Sequence, residues 1–134
     1  MLSEPAISVL LVDDDPLVLA ATSRFLVKRG LYTICASSPF GVTALVWKES
    51  PDVVVMDCHM PGLDGAQLIR CLRVNRRTAT TPVVFYSGDS DEALQNLASS
   101  LGARYAAKSR GPSSLLQVIR DALPRARRGW AHAG

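Results

Sequence analysis

Pro51-Asp52-Val53-Val54-Val55-Met56-Asp57 is the stretch that decides how this chain folds. A proline and an aspartate break the preceding element, four apolar residues follow without interruption, and a carboxylate ends the run. A strand with one wet face alternates apolar and polar side chains, whereas an unbroken apolar run suits a central parallel strand covered on both faces. Outward from it, Ile7-Ser8-Val9-Leu10-Leu11-Val12, Tyr32 to Ala36, Pro82 to Tyr86 and Tyr105 to Ala107 are further runs of strand length. Helical patterns fill the gaps. Asp15-Pro16 offers a cap and a first-turn proline to a helix that presents Val18, Ala21, Thr22, Phe25 and Leu26 inward and stops near Gly30. A second helix is expected from about Pro39 to Lys48, and a third carries Leu68, Ile69 and Leu72 on one side. Leu94, Leu97, Ala98 and Leu101 recur at the helical period before Gly102, and Leu115, Leu116, Ile119 and Leu123 mark a fifth helix. Strand and helix in alternation, with short connections, predict an α/β fold on a parallel sheet.

A chain of 134 residues with 48% hydrophobic content can fill one core. The domain is assigned to residues 5–124, and residues 125–134 are read as a basic tail or linker remnant, mobile or cut from a longer chain. The longest apolar stretches fall far short of the roughly 20 residues that span a bilayer. Met1-Leu2-Ser3-Glu4-Pro5 has neither the basic lead nor the apolar core of a secretory signal, so a cytoplasmic location is expected. Cys35, Cys58 and Cys71 are odd in number and lack CxxC spacing, which argues for reduced thiols over a disulfide framework or a zinc site. The formal net charge of +3 resides largely in Arg70, Arg73, Arg76 and Arg77 and in Arg125, Arg127 and Arg128. No aromatic residues interleave with the first cluster and no nucleic-acid motif accompanies either, so a solvated helix face and tail is the reading, without direct nucleic-acid binding.

Open parallel α/β sheets bind ligands beyond the carboxyl ends of their strands. Strand one ends in Asp13-Asp14, strand three in Asp57, strand four in Ser87 and strand five in Lys108. Three carboxylates, a hydroxyl and an ammonium therefore meet at one edge. Crowded carboxylates repel, and a hard divalent cation with oxygen ligands relieves that repulsion. Mg²⁺ joins one or two carboxylates to a phosphate oxygen, which brings an anionic phosphoryl donor up to an anionic nucleophile. Asp57 could then attack phosphorus, since aspartyl phosphate is a recognised covalent intermediate. Lys108 would neutralise one phosphate oxygen and Ser87 would donate to another.

Taken singly, each group has a plainer reading. Asp15 reads as a helix cap, and Asp13 and Asp14 could belong to the same turn. Asp57 could be a loop residue before Met60-Pro61-Gly62-Leu63-Asp64-Gly65. A lone serine at a strand end is usually just a serine, a lone lysine is usually a solvated surface charge, and His59 lacks a second ligand at metal spacing.

Together, however, Leu11-Val12-Asp13-Asp14-Asp15, Pro51 through Gly65, Tyr86-Ser87-Gly88 and Tyr105-Ala106-Ala107-Lys108 resemble, in order, the signatures of the response-regulator receiver family. The resemblance runs from about Ile7 to Leu123. It implies a flavodoxin-like, doubly wound five-stranded parallel sheet of order 2-1-3-4-5 with five helices, the order the family's chemotaxis member exemplifies. It also implies Asp57 as phosphoacceptor, Asp14 as a direct Mg²⁺ ligand, Asp13 as a ligand largely through water, and the backbone carbonyl of His59 as a further ligand, with Mn²⁺ able to substitute. Lys108 and Ser87 would act on the phosphoryl group, and Ser87 with Tyr105 would form the switch pair that remodels the face of helix four, strand five and helix five. His59 and Asp89 match positions that tune dephosphorylation in the family. Lys108 is followed by Ser109 where the family commonly has proline, so a trans bond is expected there.

The implied function is a phosphoacceptor in a two-component system or phosphorelay, with self-phosphorylation and slow autodephosphorylation but no other enzymatic activity. A histidine kinase or phosphotransfer protein would be its donor. A downstream protein or a missing output domain would be its target, and a homodimer on phosphorylation is open. A pseudo-receiver, kept only as an interaction surface, would be expected to have lost an acidic residue, the lysine or the hydroxyl; none is lost. A haloacid-dehalogenase-type phosphatase needs a second aspartate two residues after the nucleophile, where this chain has His59.

Overall fold

The structure, a computed structural model, describes residues 6–62, 64–88 and 92–127. Strands β1 (Ser8–Val12), β2 (Tyr32–Ala36), β3 (Val53–Met56), β4 (Val83–Ser87) and β5 (Arg104–Ala107) alternate with helices α1 (Pro16–Lys28), α2 (Val42–Glu49), α3 (Gly65–Arg73), α4 (Glu92–Ser100) and α5 (Pro112–Ala122). A short 3-10 turn, Lys108–Arg110, links β5 to α5. All strand pairs are parallel, and the sheet order is β2-β1-β3-β4-β5. This is the doubly wound architecture the resemblance implied.

The uninterrupted apolar run of β3 is buried at every position. Val53 and Val55 join Val9, Leu11, Val84 and Tyr86 in one core with Leu26 of α1 and Leu115 and Ile119 of α5. Val54 and Met56 point the other way and join Leu10, Val12, Val83 and Phe85 with Val42 and Val46 of α2, Ile69 and Leu72 of α3, and Ala98 of α4. The two-residue repeat of a strand thus feeds two cores from one run. The edge strand β2 is covered less fully on both faces, with Tyr32 and Cys35 exposed and Thr33, Ile34 and Ala36 half-buried.

Element boundaries follow local chemistry. Asp15 caps α1 as expected, its carboxylate accepting from the backbone N–H groups of Leu17 and Val18. Helix α2 starts at Val42, later than Pro39, because Ser38 Oγ accepts from the Phe40 N–H and Gly41 takes a left-handed φ of 78°, neither compatible with a continuing helix. The apolar stripe of α1 is also narrower than its pattern: Thr22 and Leu26 are buried, Val18 and Phe25 half-buried, and Ala21 exposed. On α4 Ala98 makes the buried contact, whereas Leu97 is left 47% exposed. Among the described residues no helix is long and apolar enough to cross a membrane.

The first turn of α3 sits close against β4. A β-carbon on Gly65 would stand 2.9 Å from Cζ of the Phe85 ring, which is itself buried. Gly65→Ala should therefore lower stability by about 1–3 kcal/mol through overpacking, more than the gain in helix propensity of up to about 1 kcal/mol. Urea denaturation measures this; an unchanged or raised midpoint would mean that the ring moves aside freely.

Candidate functional site

Two backbone ladders stop together at the carboxyl edge. β1 pairs with β2 as far as Val12 against Ala36, and with β3 as far as Val12 against Met56. One more step of each ladder holds the next residues, with Asp13 N–H donating to the Ala36 carbonyl at 3.1 Å and Asp57 N–H to the Val12 carbonyl at 3.0 Å. Asp13 and Asp57 therefore leave the sheet with fixed backbones. The aspartate triplet divides its work: Asp13 is buried and accepts the Asp15 N–H on Oδ1 at 2.9 Å, Asp14 is exposed, and Asp15 caps α1.

Carboxylate oxygens of Asp13, Asp14 and Asp57 lie within 4.8 Å of one another. Lys108 Nζ donates to Asp13 Oδ2 at 2.8 Å and lies 3.3 Å from Asp57 Oδ2. Asp57 Oδ1 accepts the His59 N–H at 3.0 Å. Burial alone would pull the Lys108 ammonium down, but the Asp13 hydrogen bond and the charges of Asp57 and Asp13 outweigh it and hold its pKa above the ordinary lysine value. Lys108 also lies 5.8 Å from the centre of the Tyr86 ring, whose hydroxyl is pushed up mainly by burial. One ammonium against three carboxylates leaves the cluster net negative, and its donors are all hard oxygens. That donor set suits an Mg²⁺-type cation and could hold one.

At the neighbouring strand end Ser87 is fully buried, and among the described residues its hydroxyl makes no hydrogen bond of good geometry, with the Cys58 thiol its nearby polar neighbour. An unsatisfied buried hydroxyl costs about 1–3 kcal/mol, so this one calls for a reason. Cys58 follows Asp57 directly. Its thiol is pushed up by burial, with the nearby Ser87 hydroxyl pulling it back and the Asp57 charge adding to the rise.

Asp13, Asp14, Asp57 and Lys108 are thus brought into one cluster, with Ser87 on the adjacent strand. Tyr105 is elsewhere: it pairs with Phe85 across β4 and β5, is half-buried, and lines a depression of about 240 Å³ with Gln95, Arg110 and Ser114. The His59 side chain is exposed. Asp89 lies outside the described residues, as do residues 128–134 of the tail. In the described part of the tail, Arg127 Nη2 lies 3.4 Å from Asp52 Oδ2. In the α3 cluster, Arg73 donates to the Thr81 carbonyl at 2.8 Å, and the Arg77 guanidinium stacks 4.4 Å over Trp47. All three cysteines are free. The approach of the Phe40 ring to Gly62 was not legible in the sequence: Pro39-Phe40-Gly41 reads as an ordinary turn.

Residues 9–120 match the family model of the response regulator receiver domain. The chain belongs to this family. The receiver is 34% identical over 116 residues to the protein PilH of Pseudomonas aeruginosa, covering 86% of this chain and 96% of PilH. It is 32% identical over 118 residues to the transcriptional regulatory protein KdpE of Mycobacterium tuberculosis, covering 87% of this chain but 51% of KdpE. The receiver thus spans nearly all of one relative and about half of another. Among solved structures, the chemotaxis response regulator CheY4 of Vibrio cholerae shares the fold with a TM-score of 0.79 at 22% identity, covering 89% of this chain and 100% of that one. A response regulator receiver domain protein of Clostridium thermocellum superposes with a TM-score of 0.77 at 27% identity, covering 90% and 96%.

The Lys108 contacts carry a pH signature. A pKa raised on folding stabilises fully below the unfolded lysine value of about 10.4 and is lost as pH climbs through the folded value. In chelator, Lys108→Met should lose about 1–3 kcal/mol at pH near 8, because two buried carboxylates lose their cation. Urea denaturation of parent and variant should converge in strongly alkaline buffer. A gap that stayed constant would show that the stem of Lys108, and not its charge, stabilises the fold.

Proposed function

We propose that this receiver accepts a phosphoryl group on Asp57 and passes the signal on through its surface helices. The observation that carries the proposal is the convergence of the Asp13, Asp14 and Asp57 carboxylates within 4.8 Å, with Lys108 Nζ between Asp13 and Asp57. Asp13, Asp14, Asp57 and the His59 backbone carbonyl would hold Mg²⁺, or Mn²⁺ in its place, which when bound neutralises the cluster and orients a phosphoryl oxygen.

The donor is a phosphohistidine of a histidine kinase or phosphotransfer protein, or a small phosphodonor. An Asp57 oxygen forms the new O–P bond as the donor's N–P or O–P bond breaks, so the phosphoryl group moves without net oxidation or reduction. Lys108 contributes a fixed positive charge where phosphoryl oxygens arrive. Ser87 would donate its buried hydroxyl to the phosphoryl group, and Tyr105 would respond on the adjoining face of α4, β5 and α5. The domain is assigned to residues 5–124, with residues 125–134 leading toward an output domain or ending as a tail. Phosphorylation alters contacts with a downstream protein, an attached output domain or a second copy of the chain, in the cytoplasm. Turnover is limited to self-phosphorylation and slow autodephosphorylation. The intact charged set leaves no observation in favour of a pseudo-receiver, and the exposed His59 stands where a phosphatase of the haloacid-dehalogenase type requires an acid.

Intact mass after incubation with acetyl phosphate and Mg²⁺ tests this reading. The parent should gain one phosphoryl group, chelator should abolish the gain, and Asp57→Asn should fold normally and gain nothing. Asp14→Ala should lose the Mg²⁺-dependent rise in melting temperature. A folded Asp57→Asn variant labelled as strongly as the parent would overturn the phosphoacceptor assignment.

A further inference from the structure

The loop that leaves Asp57 carries two of the groups assigned above, the carboxylate and the His59 carbonyl, and Cys58 packs against the core at its start. His59 N–H bonds Asp57, Met60 is buried in the core beside α2 and α3, and Asp64 caps α3 by accepting the Gln67 N–H at 3.1 Å. Between Met60 and Asp64 the chain crosses open surface at Pro61 and Gly62, both exposed. Gly62 turns there with a φ of 78°.

On the other side of the gap stands Phe40, 79% exposed. Its ring points end-on at Gly62. A β-carbon on Gly62 would lie 3.2 Å from Phe40 Cζ and 3.8 and 3.9 Å from the two Cε atoms. The loop bearing Phe40 is itself secured, by the Ser38 hydroxyl accepting the Phe40 N–H at 3.1 Å and by the ladder bond from Asp13 N–H to Ala36 at 3.1 Å. One loop is thus fastened to the backbone of Asp13 and the other to the carboxylate of Asp57, and the Phe40 ring tip faces Gly62 across them, close enough that a β-carbon there would be crowded.

We infer that Phe40 is a positioning residue: its ring tip, facing Gly62, limits movement of the loop toward it and so holds the His59 carbonyl in register with Asp13 and Asp57. A ring this exposed buries little area, so its contribution to folding is small. Its contribution to a ligand set can be larger, because groups that orient metal ligands typically govern about 10–100-fold in affinity. The inference rests on the phosphoacceptor reading, which makes this loop a source of ligand oxygen.

The test compares the parent chain with Phe40→Ala and Phe40→Tyr, using Asp14→Ala as the metal-site control. Mg²⁺ affinity is measured by calorimetric titration, and hydrogen exchange of the amides of residues 59–62 is followed without metal. Phe40→Ala should keep its thermal midpoint, bind Mg²⁺ about ten-fold more weakly and exchange faster across the loop. Phe40→Tyr retains the ring and should match the parent in both. Parental Mg²⁺ affinity in Phe40→Ala, a weakened affinity with unchanged exchange, or equal damage from tyrosine and alanine would each overturn the inference while leaving the metal site standing. A parent that binds no Mg²⁺ would overturn both this inference and the reading beneath it.

Discussion

Two buried carboxylates on neighbouring strands repel each other, and in this domain Lys108 makes their proximity tolerable. It reaches Asp13 at 2.8 Å and Asp57 at 3.3 Å. Lys108 follows β5, at the edge of the sheet, whereas its partners follow β1 and β3 on the far side of β4. The stem must therefore cross β4, and the ammonium passes 5.8 Å from the centre of the Tyr86 ring. A parallel sheet is what permits this, because all five strands end at the same edge. Without that common edge, residues separated by 95 and 51 positions would not meet.

The compensation is deliberately incomplete in the chemical sense: one cation serves three carboxylates, and Asp14 is left to solvent. Ser87 adds a second deficit, a buried hydroxyl that among the described residues has only the weakly bonding Cys58 thiol nearby. Native structures satisfy nearly all such groups, so a charge imbalance and a poorly satisfied hydroxyl at adjacent strand ends mark a place where stability is given up. Both deficits would be relieved by the same kind of visitor, a cation with an attached or accompanying oxyanion. The helices need contribute none of this chemistry; they cover the two faces, and the strand ends carry the polar groups.

Most of the fold was legible because burial on both faces leaves a run such as Val53 to Met56 no other place to go. The boundaries of β2 and β3 agree with the sequence pattern, and the Asp15-Pro16 pair marks the start of α1 correctly. What failed to show was local: the start of α2 depends on a Ser38 side-chain bond and a left-handed Gly41, and the exposure of Ala21 and Leu97 depends on how narrow a stripe each helix presents. Periodicity identifies the face of a helix but not the width of its contact. At the site, residue types at strand ends sufficed to nominate Asp13, Asp14, Asp57, Ser87 and Lys108. The approach of Phe40 to Gly62 was hidden because it lies between two loops, where no period relates one residue to another.

The opposite edge of the sheet makes the contrast that explains where reactivity can reside. There Asp52 Oδ2 accepts the Ser8 N–H at 2.8 Å and the Ser8 hydroxyl at 3.2 Å, while Asp52 N–H donates to the Ser8 carbonyl at 2.9 Å. Arg127, arriving from beyond α5, lies 3.4 Å from the same carboxylate oxygen. Asp52 thus has backbone, hydroxyl and guanidinium donors around a single carboxylate, and it fastens the starts of β1 and β3 together. Asp13 and Asp57, at the other ends of those same two strands, each accept one backbone N–H from their own loop and share one ammonium between them. A rigid amino edge lets the carboxyl edge carry its imbalance without the strands sliding apart, because any relative shift of β1 and β3 must first break the bonds at Asp52. The same pair of strands is therefore closed at one end and left open to a ligand at the other.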